Sequence, residues 1–202
     1  GQAVKVAFVS TSVTAIRAGR GRLVAIVSAH TLPVDQDWLG NLVAPLHERL
    51  VAMVYGRQLG APTSKFSEAQ DFRRAFGAER KILRAPAFFA NNANAAIRRE
   101  LWERYPFDDR LPGLEDVDWA KKWMLEGYEV VYEPAAALRH IHEESRKQVR
   151  HRYYREGVAA VRLGTKRRAT ALREIGRESR YLTADLLLAL REALRGESDA
   201  VL

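Results

Sequence analysis

Residues 106–142 read PFDDRLPGLEDVDWAKKWMLEGYEVVYEPAAALRHIH and carry the strongest structural and chemical signals in the chain. A helix is predicted in the middle of this stretch, because apolar residues recur there at three- and four-residue spacing: Val117, Ala120 and Met124. Gly127 stands where a helix-ending residue with positive φ is expected. Glu115 and Asp116 then fall in the first helical turn, where the helix dipole favours carboxylates, so the pair is compatible with a purely structural role as well as with catalysis.

The second half of the stretch predicts a strand followed by two imidazoles. Tyr128–Tyr132 has strand composition, Pro134 is expected to end that strand, and Ala135–Leu138 is expected to form another short strand leading to His140. In an extended His-x-His segment, His140 and His142 project to the same side, a geometry suited to a metal or phosphate site. The pattern is weak when taken alone.

The remaining elements alternate as in an α/β protein. Short apolar runs typical of strands buried on both faces predict a mostly parallel sheet flanked by helices. Asn91, Asn92 and Asn94 are typical of a turn and a helix cap. The predicted strands are Val4–Val9, Leu23–Val27 and Leu50–Tyr55; the predicted helices are Trp38 to about Arg49, capped by Asp37, and Ala95–Tyr105; Gly60–Ala85 is expected to be irregular or partly helical.

Composition excludes some classes of protein. The chain has 202 residues with 47% hydrophobic content, enough for one sizeable core and an appended element. It has no cysteine, which excludes disulfides and thiolate metal sites. We find no apolar run long enough to span a membrane and no signal-peptide pattern, so we expect a cytoplasmic protein.

Positive charge is concentrated in the last third of the chain. Residues 146–180 contain twelve Lys or Arg and three acids, a balance of +9 in a chain of net charge +8. We expect a basic helical extension, with one helix to about Leu163 and another from about Arg168 to Arg195. Its attraction would be to an anionic surface, although a solvated helix surface is equally compatible. Leucines at four-residue spacing (Leu182, Leu186, Leu190 and Leu194) favour a docking face over a membrane-binding face. Two partners for that face are open: a second copy, which would make a homo-oligomer, or the chain's own core.

Seven segments of the chain form an ordered set: Ser28–Pro33, Trp38–Leu39, Val54–Gln58, Asn91–Arg99, Pro106–Asp108, Glu115–Trp119 and His140–His142. In this order and spacing they resemble the family 2 (GT-A fold) inverting glycosyltransferases, and within them the bacterial rhamnosyltransferase-like members that build surface polysaccharides. The resemblance covers residues 12–157. It implies a partial GT-A-like core at residues 1–142, shortened at the N-terminal, nucleotide-binding half, and a basic helical extension at 143–202.

The resemblance also implies roles for particular residues. Asp116 would be the general base, with Glu115 beside it. Ser28 and His30 occupy the place of the family's metal-binding Asp-x-Asp, and His140, with His142 as second candidate, would complete a site for a divalent cation. Because imidazole and hydroxyl ligands suit Mg²⁺ poorly, Mn²⁺ is the better candidate. Residues expected to bind donor or acceptor are Asn94, Arg98, Trp119 and Lys122.

The function implied is inverting transfer of a sugar from a UDP- or dTDP-linked donor to a saccharide or a polyprenyl-diphosphate-linked acceptor, at the inner face of an anionic membrane. The alternative is a non-catalytic glycosyltransferase-like scaffold that binds a membrane surface or a partner protein. Nucleic-acid binding through the arginine-rich extension, with Tyr153 and Tyr154, is not favoured.

Overall fold

The computed structural model describes residues 4–8, 12–62, 64–141, 145–165 and 171–195. Its strands are β1 (Val4–Phe8), β2 (Leu23–Val27), β3 (Thr31–Pro33), β4 (Val51–Gly60), β5 (Lys81–Leu83), β6 (Asn94–Arg98) and β7 (Glu129–His140). Its helices are α1 (Ser12–Ala18), α2 (Trp38–Val43, followed by a 3₁₀ turn at Ala44–His47), α3 (Phe66–Ala75), α4 (Arg99–Arg104), α5 (Glu115–Leu125), α6 (Arg146–Arg162) and α7 (Ala171–Arg195).

The strands form one mixed sheet in the order β1-β2-β6-β4-β7-β3, with β5 also paired to β7. The predicted α/β architecture with flanking helices is confirmed. The sheet is not mostly parallel, however: β1–β2 and β4–β7 are the parallel pairs, and the other pairings among the described strands are antiparallel. The difference arises at β6, which lies between β2 and β4 and runs antiparallel to both.

Two sequence predictions fail where tertiary contacts override local signals. Ala95–Ile97 was predicted to begin a helix, but these small and apolar residues are completely buried in the middle of the sheet, and the helix starts only at Arg99. Pro134 does not end β7, because the strand is irregular there: Gly56 of β4 faces Glu133, and Gln58 faces Leu138. Pro134 therefore lies in a bulge, where no ladder hydrogen bond is required of it.

Apolar clusters cover both faces of the sheet. On one face α5 inserts Trp119 and Trp123 against Ile97 and Tyr132. On the other face α2 packs Trp38 and Leu42 against Val54, Val131 and Leu138. Because successive strand residues point to opposite faces, the alternation along β2 and β4 supplies both clusters. The core thus has three layers, helix, sheet and helix. This arrangement leaves the ends of the strands available for a site.

Asn94 and Gly56 stabilise the β7 bulge. The Asn94 side-chain amide donates hydrogen bonds to the carbonyls of Arg57 and Ala136, at 3.1 and 2.8 Å, and accepts one from Trp38 Nε1 at 3.0 Å. A Cβ on Gly56 would lie only 2.3 Å from Asn94 Nδ2, so only glycine permits this approach. With its carbonyls satisfied, the bulge returns β7 to the ladder in a register that pairs Gly60 with His140.

Candidate active site

Glu115 and Asp116 begin α5, as predicted, and the backbone holds Asp116 in place. Asp116 Oδ2 accepts a hydrogen bond from the backbone N–H of Asn92, and Oδ1 accepts one from that of Val117, each at 2.8 Å. Leu114, which precedes the helix, adopts a left-handed conformation with φ 59° and ψ 28°, uncommon for a bulky residue. This turn delivers both carboxylates to the same side of the helix start, close to the Asn92 loop.

The pKa of Asp116 is raised from 3.8 to about 7. Burial is the main cause, because it disfavours the charged form, and the neighbouring charge of Glu115 adds to it. The two backbone N–H groups act in the opposite direction, since they stabilise the carboxylate, but they do not cancel the effect of burial. A carboxyl group that titrates near neutrality is charged in part of the population at pH 7. The charged form can take a proton from a hydroxyl.

Two of the three predicted metal-binding histidines, His30 and His140, lie side by side. His140, the last residue of β7, pairs with Thr31 of β3, and its Nδ1 lies 2.6 Å from Gln58 Oε1. His30 precedes β3, and its ring centroid is 4.8 Å from that of His140. If Gln58 Oε1 accepts from Nδ1–H, neutral His140 has its acceptor lone pair on Nε2. Ser28 Oγ lies 3.1 Å from Nε2 of His30.

A single cavity of about 1140 Å³ joins the carboxylates and the histidines. Glu115, Asp116, His30 and His140, chosen from separate parts of the sequence, all line it. Ser28 is buried beside His30. His142, the remaining candidate ligand, lies outside the described residues. The structure thus brings together both predicted carboxylates and two of the three predicted histidines, His30 and His140.

The four residues expected to bind donor or acceptor do not line this cavity. Asn94 is completely buried in its bridge across the bulge, and Trp119 is buried in the core, where its Nε1 donates to the carbonyl of Tyr105. Arg98 donates to the carbonyls of Leu46, Glu48 and Val51 at 2.7 Å, and Lys122 forms an ion pair with Glu126 at 2.7 Å. All four have structural contacts outside this cavity, and their role in donor or acceptor binding stays a prediction.

Two buried amides in the cavity wall were not predicted from the sequence. Asn92 and Gln58 are 4% and 2% exposed, and both line the cavity. Among the described residues, no hydrogen-bond partner is found for Asn92 Oδ1 or Gln58 Nε2. A buried polar atom without a partner is costly, so each is a candidate contact for a ligand. The only sequence signal was their presence within segments that resemble the glycosyltransferases.

Aromatic side chains and the C-terminal extension complete the wall. The aromatic residues are Phe72 and Phe76 of α3 and the adjacent Phe88 and Phe89. Helix α6 contributes Arg152, Arg155 and Glu156, and Arg155 Nη1 donates to the carbonyl of Pro112 at 3.3 Å. Residues on both sides of the predicted boundary at 142/143 therefore line one cavity. The charge of the extension indicated an anionic partner, but nothing local indicated that α6 would face Asp116.

The described residues do not form a metal cage of their own. No group of three or more His, Asp or Glu side chains with suitable spacing occurs within the described part of the chain. His30 and His140 supply two imidazoles, and the adjacent Ser28 hydroxyl is a weak third donor. A cation held here would need oxygen ligands from a bound substrate or from water.

No protein-family model matches the chain. The chain is 28% identical over 147 residues to the O-antigen chain rhamnosyltransferase RfbN of Salmonella typhimurium, an alignment that covers 67% of this chain and 46% of RfbN. It thus spans about half the length of this curated relative. The similarity is to a glycosyltransferase of polysaccharide synthesis, in agreement with the resemblance seen in the motifs.

Two solved structures illustrate the similarity in chain path. One is GalNAc-T7 with UDP, GalNAc and Mn²⁺, with a TM-score of 0.47, 19% identity and coverage of 65% of this chain and 29% of that one. The other is the mannosyltransferase PcManGT from Pyrobaculum calidifontis in complex with GDP-Man and Mn²⁺, also with a TM-score of 0.47 and 19% identity, covering 92% of this chain and 66% of that one.

Proposed function

We propose that this chain transfers a sugar from a nucleoside-diphosphate donor to a hydroxyl group of an acceptor during surface polysaccharide synthesis. The observation that carries the proposal is the Asp116 carboxyl group, with its pKa near 7, in the wall of a large cavity that also contains Glu115, His30 and His140. The 28% identity to an O-antigen rhamnosyltransferase supports the same reaction class. A polysaccharide intermediate, whether a free saccharide or one linked to polyprenyl diphosphate, is the proposed acceptor.

Asp116 is the proposed general base in a single in-line displacement. The acceptor hydroxyl oxygen forms a bond to the anomeric carbon while the bond from that carbon to the diphosphate breaks, so the configuration inverts. The hydroxyl proton passes to Asp116, and the nucleoside diphosphate leaves. The Asn92 and Val117 N–H groups fix the carboxylate during this transfer, and Glu115 keeps its pKa high enough for it to accept a proton.

Positive charge is required where the diphosphate departs. Arg152 and Arg155 of α6 line the cavity and carry guanidinium groups, whose planar donors match phosphate oxygens. A divalent cation, with Mn²⁺ preferred over Mg²⁺ for imidazole ligands, would be held by His30 and His140 together with the donor's own phosphate oxygens. When bound, such a cation would neutralise charge on the leaving diphosphate.

The buried amides of Asn92 and Gln58 are suited to sugar hydroxyls. A hydroxyl group can donate to Asn92 Oδ1 or accept from Gln58 Nε2, and either contact would satisfy an atom that has no hydrogen-bond partner among the described residues. The phenylalanines at positions 72, 76, 88 and 89 offer an apolar wall against which a sugar ring can pack. UDP- and dTDP-linked sugars are the proposed donors.

The decisive experiment compares Asp116→Asn with Asp118→Asn. Asp118 lies in the same turn of α5, but its carboxylate accepts from the Tyr105 hydroxyl at 2.9 Å and does not line the cavity. We expect Asp116→Asn to lower transfer by about 10²–10⁴-fold, whereas Asp118→Asn stays near the wild-type rate. Release of UDP or dTDP is measured over panels of sugar donors and saccharide acceptors. The wild-type rate should rise as the pH passes through about 7.

Calorimetric titration with UDP and dTDP, with and without Mn²⁺, separates binding from chemistry. Asp116→Asn should bind the nucleotide as the wild type does, whereas His140→Ala should lose any Mn²⁺-dependent part of the affinity. Full turnover in Asp116→Asn would rule out this carboxylate as the base. Failure of the wild type to bind either nucleotide would instead favour the non-catalytic scaffold.

A further inference from the structure

Helix α7 exposes a continuous apolar band to solvent. Six large apolar side chains on it are each more than half exposed: Ile175, Leu182, Leu186, Leu187, Leu190 and Leu194. At about 100° of rotation per residue, they fall within about 140° of the helix circumference. Thr183 lies on the same side of the helix, and its hydroxyl donates to the Ser179 carbonyl at 2.9 Å. We call these six residues the α7 band.

The arginines of α7 follow one edge of the band. Arg173, Arg180 and Arg191 lie within about 20° of one another, immediately beside the band, and Arg177 and Arg195 follow about 40° further round. All five are exposed. Arg177 is ion-paired to Glu174 and Glu178 at 2.7 Å. The solvent side of the helix therefore combines an apolar strip with a row of positive charge.

The acidic residues of α7 lie on the remaining side, which packs against α3. Asp185 forms an ion pair with Arg74, and the Arg74 guanidinium lies 4.7 Å from the ring centre of Tyr181. Ala189, on the same side, is 7% exposed. Glu174 and Glu192 also face this side and are only partly exposed. Contact with the protein body thus fixes which side of α7 is presented outward.

We propose that the α7 band lies in the surface of an anionic lipid bilayer, with the flanking arginines on the lipid phosphates. A helix that combines an apolar face with an arginine edge has the composition of helices that lie in the membrane interface. Among the described residues, no helix is long and apolar enough to cross a bilayer, so contact would be along the surface. The proposal goes beyond sugar transfer and does not depend on it.

Charge favours lipid over a second copy of the chain as the occupant. Arg173, Arg180 and Arg191 lie along one edge of the band, so two copies whose α7 helices met antiparallel through the band would bring these like charges together. An anionic bilayer supplies the opposite sign together with an apolar interior for the leucines. The regular leucine spacing, which favoured a docking face in the sequence, is therefore better explained by insertion once the arginines are placed on the helix.

The absence of cysteine allows a site-specific test on the full chain. Leu190→Cys carries an environment-sensitive fluorophore in the band, and Leu125→Cys, whose native side chain is 63% exposed at the end of α5, carries it elsewhere. With vesicles of phosphatidylcholine and phosphatidylglycerol, we expect a blue shift and increased emission at position 190 only. Equal responses at the two positions, or none at 190, would overturn the proposal.

Vesicle sedimentation measures the two contributions separately. Leu186→Ser/Leu190→Ser should lower the partition coefficient by about tenfold or more, because two side chains no longer enter the apolar layer, whereas Leu125→Ser should leave it unchanged. Arg173→Gln/Arg180→Gln/Arg191→Gln should remove the preference for phosphatidylglycerol over pure phosphatidylcholine. Binding that survives the leucine changes but disappears in high salt would reduce the contact to charge alone and contradict insertion.

Sedimentation velocity without vesicles tests the competing occupant. We expect the wild type and Leu186→Ser/Leu190→Ser to sediment with the same mass. A wild-type dimer that Leu186→Ser/Leu190→Ser converts to monomer, together with no vesicle binding, would assign the band to a second copy and refute the membrane proposal. Because these assays contain no nucleotide sugar, their result is independent of whether the chain is a transferase.

Discussion

Asp116→Asn is expected to stabilise the protein, relative to the wild type, increasingly as the pH rises from 4 to 8. The folded protein binds the Asp116 proton more tightly than the unfolded chain does. The pKa of Asp116 is about 7 in the folded protein, and we take the ordinary value of 3.8 for the unfolded chain. The stabilisation that this proton gives is complete below pH 3.8 and is lost as the pH rises through 7. Asparagine does not titrate, so the variant avoids that loss.

The size of the effect follows from the two pKa values. Between pH 4 and pH 8 the wild type should lose about 2–4 kcal/mol of unfolding free energy from this one group, at 1.36 kcal/mol per pKa unit. A constant cost opposes it: asparagine has one carbonyl oxygen, so the N–H of Asn92 or of Val117 loses its acceptor, at about 1–3 kcal/mol. That cost does not depend on pH, and the change with pH therefore isolates the titration of Asp116.

Urea denaturation of wild type and variant at unit pH steps from 4 to 8 measures the difference in unfolding free energy directly. The difference should change most between about pH 4.5 and 7, because there the folded protein keeps the proton and the unfolded chain has lost it. Glu115→Gln is the companion variant: because the Glu115 charge is the second cause of the raised pKa, its removal should reduce the pH dependence without abolishing it. A difference between Asp116→Asn and wild type that stays constant within about 0.5 kcal/mol would refute the raised pKa.

Two further predictions concern the backbone that positions the site. Gly56→Ala should destabilise the fold by about 2–4 kcal/mol in chemical denaturation, because the new Cβ meets the Ala136 carbonyl and the Asn94 amide; a loss of under about 0.5 kcal/mol would show that the bulge relaxes freely. Leu114→Gly should cost little, or stabilise by up to about 1 kcal/mol, because glycine adopts the left-handed conformation of this residue without strain. Strong destabilisation by Leu114→Gly would mean that packing of the leucine outweighs its backbone strain.

The sequence predicted most reliably those parts that local signals determine. Helix α5 forms as expected, with both carboxylates in its first turn and Gly127 at φ 89° beyond its end. β6 was missed because Ala95 and Ala96 suit a helix as well as a strand, and only burial between β2 and β4 decides for the strand. The part of α6 in the cavity was unpredictable for the same reason, since it depends on contacts between residues far apart in the chain.

The same contrast between local signals and long-range contacts applies to the site residues. Residue types with distinctive chemistry, the carboxylates and the histidines, were chosen from their motifs, and the structure places Glu115, Asp116, His30 and His140 in one cavity. The buried amides of Asn92 and Gln58 were not identified in this way, because asparagine and glutamine are also common in loops and turns. Asn94 was expected to bind substrate, but its place beside the β7 bulge could not be inferred without knowing that β4 and β7 lose register at Gly56.

The Asn91–Asn94 segment connects the two halves of the site. The Asn92 N–H fixes the carboxylate of Asp116, and the Ala93 carbonyl accepts from the Ser28 N–H at 3.0 Å, at the start of the turn that carries His30. Asn94 satisfies the bulge whose register places His140 beside Gln58. One short run of backbone thus positions both the Asp116 carboxylate and the imidazoles. Hydrogen bonds to three consecutive residues set the separation between them. This run, whose local signals are those of a turn and a cap, therefore sets the spacing between the Asp116 carboxylate and the imidazoles of His30 and His140 in the cavity.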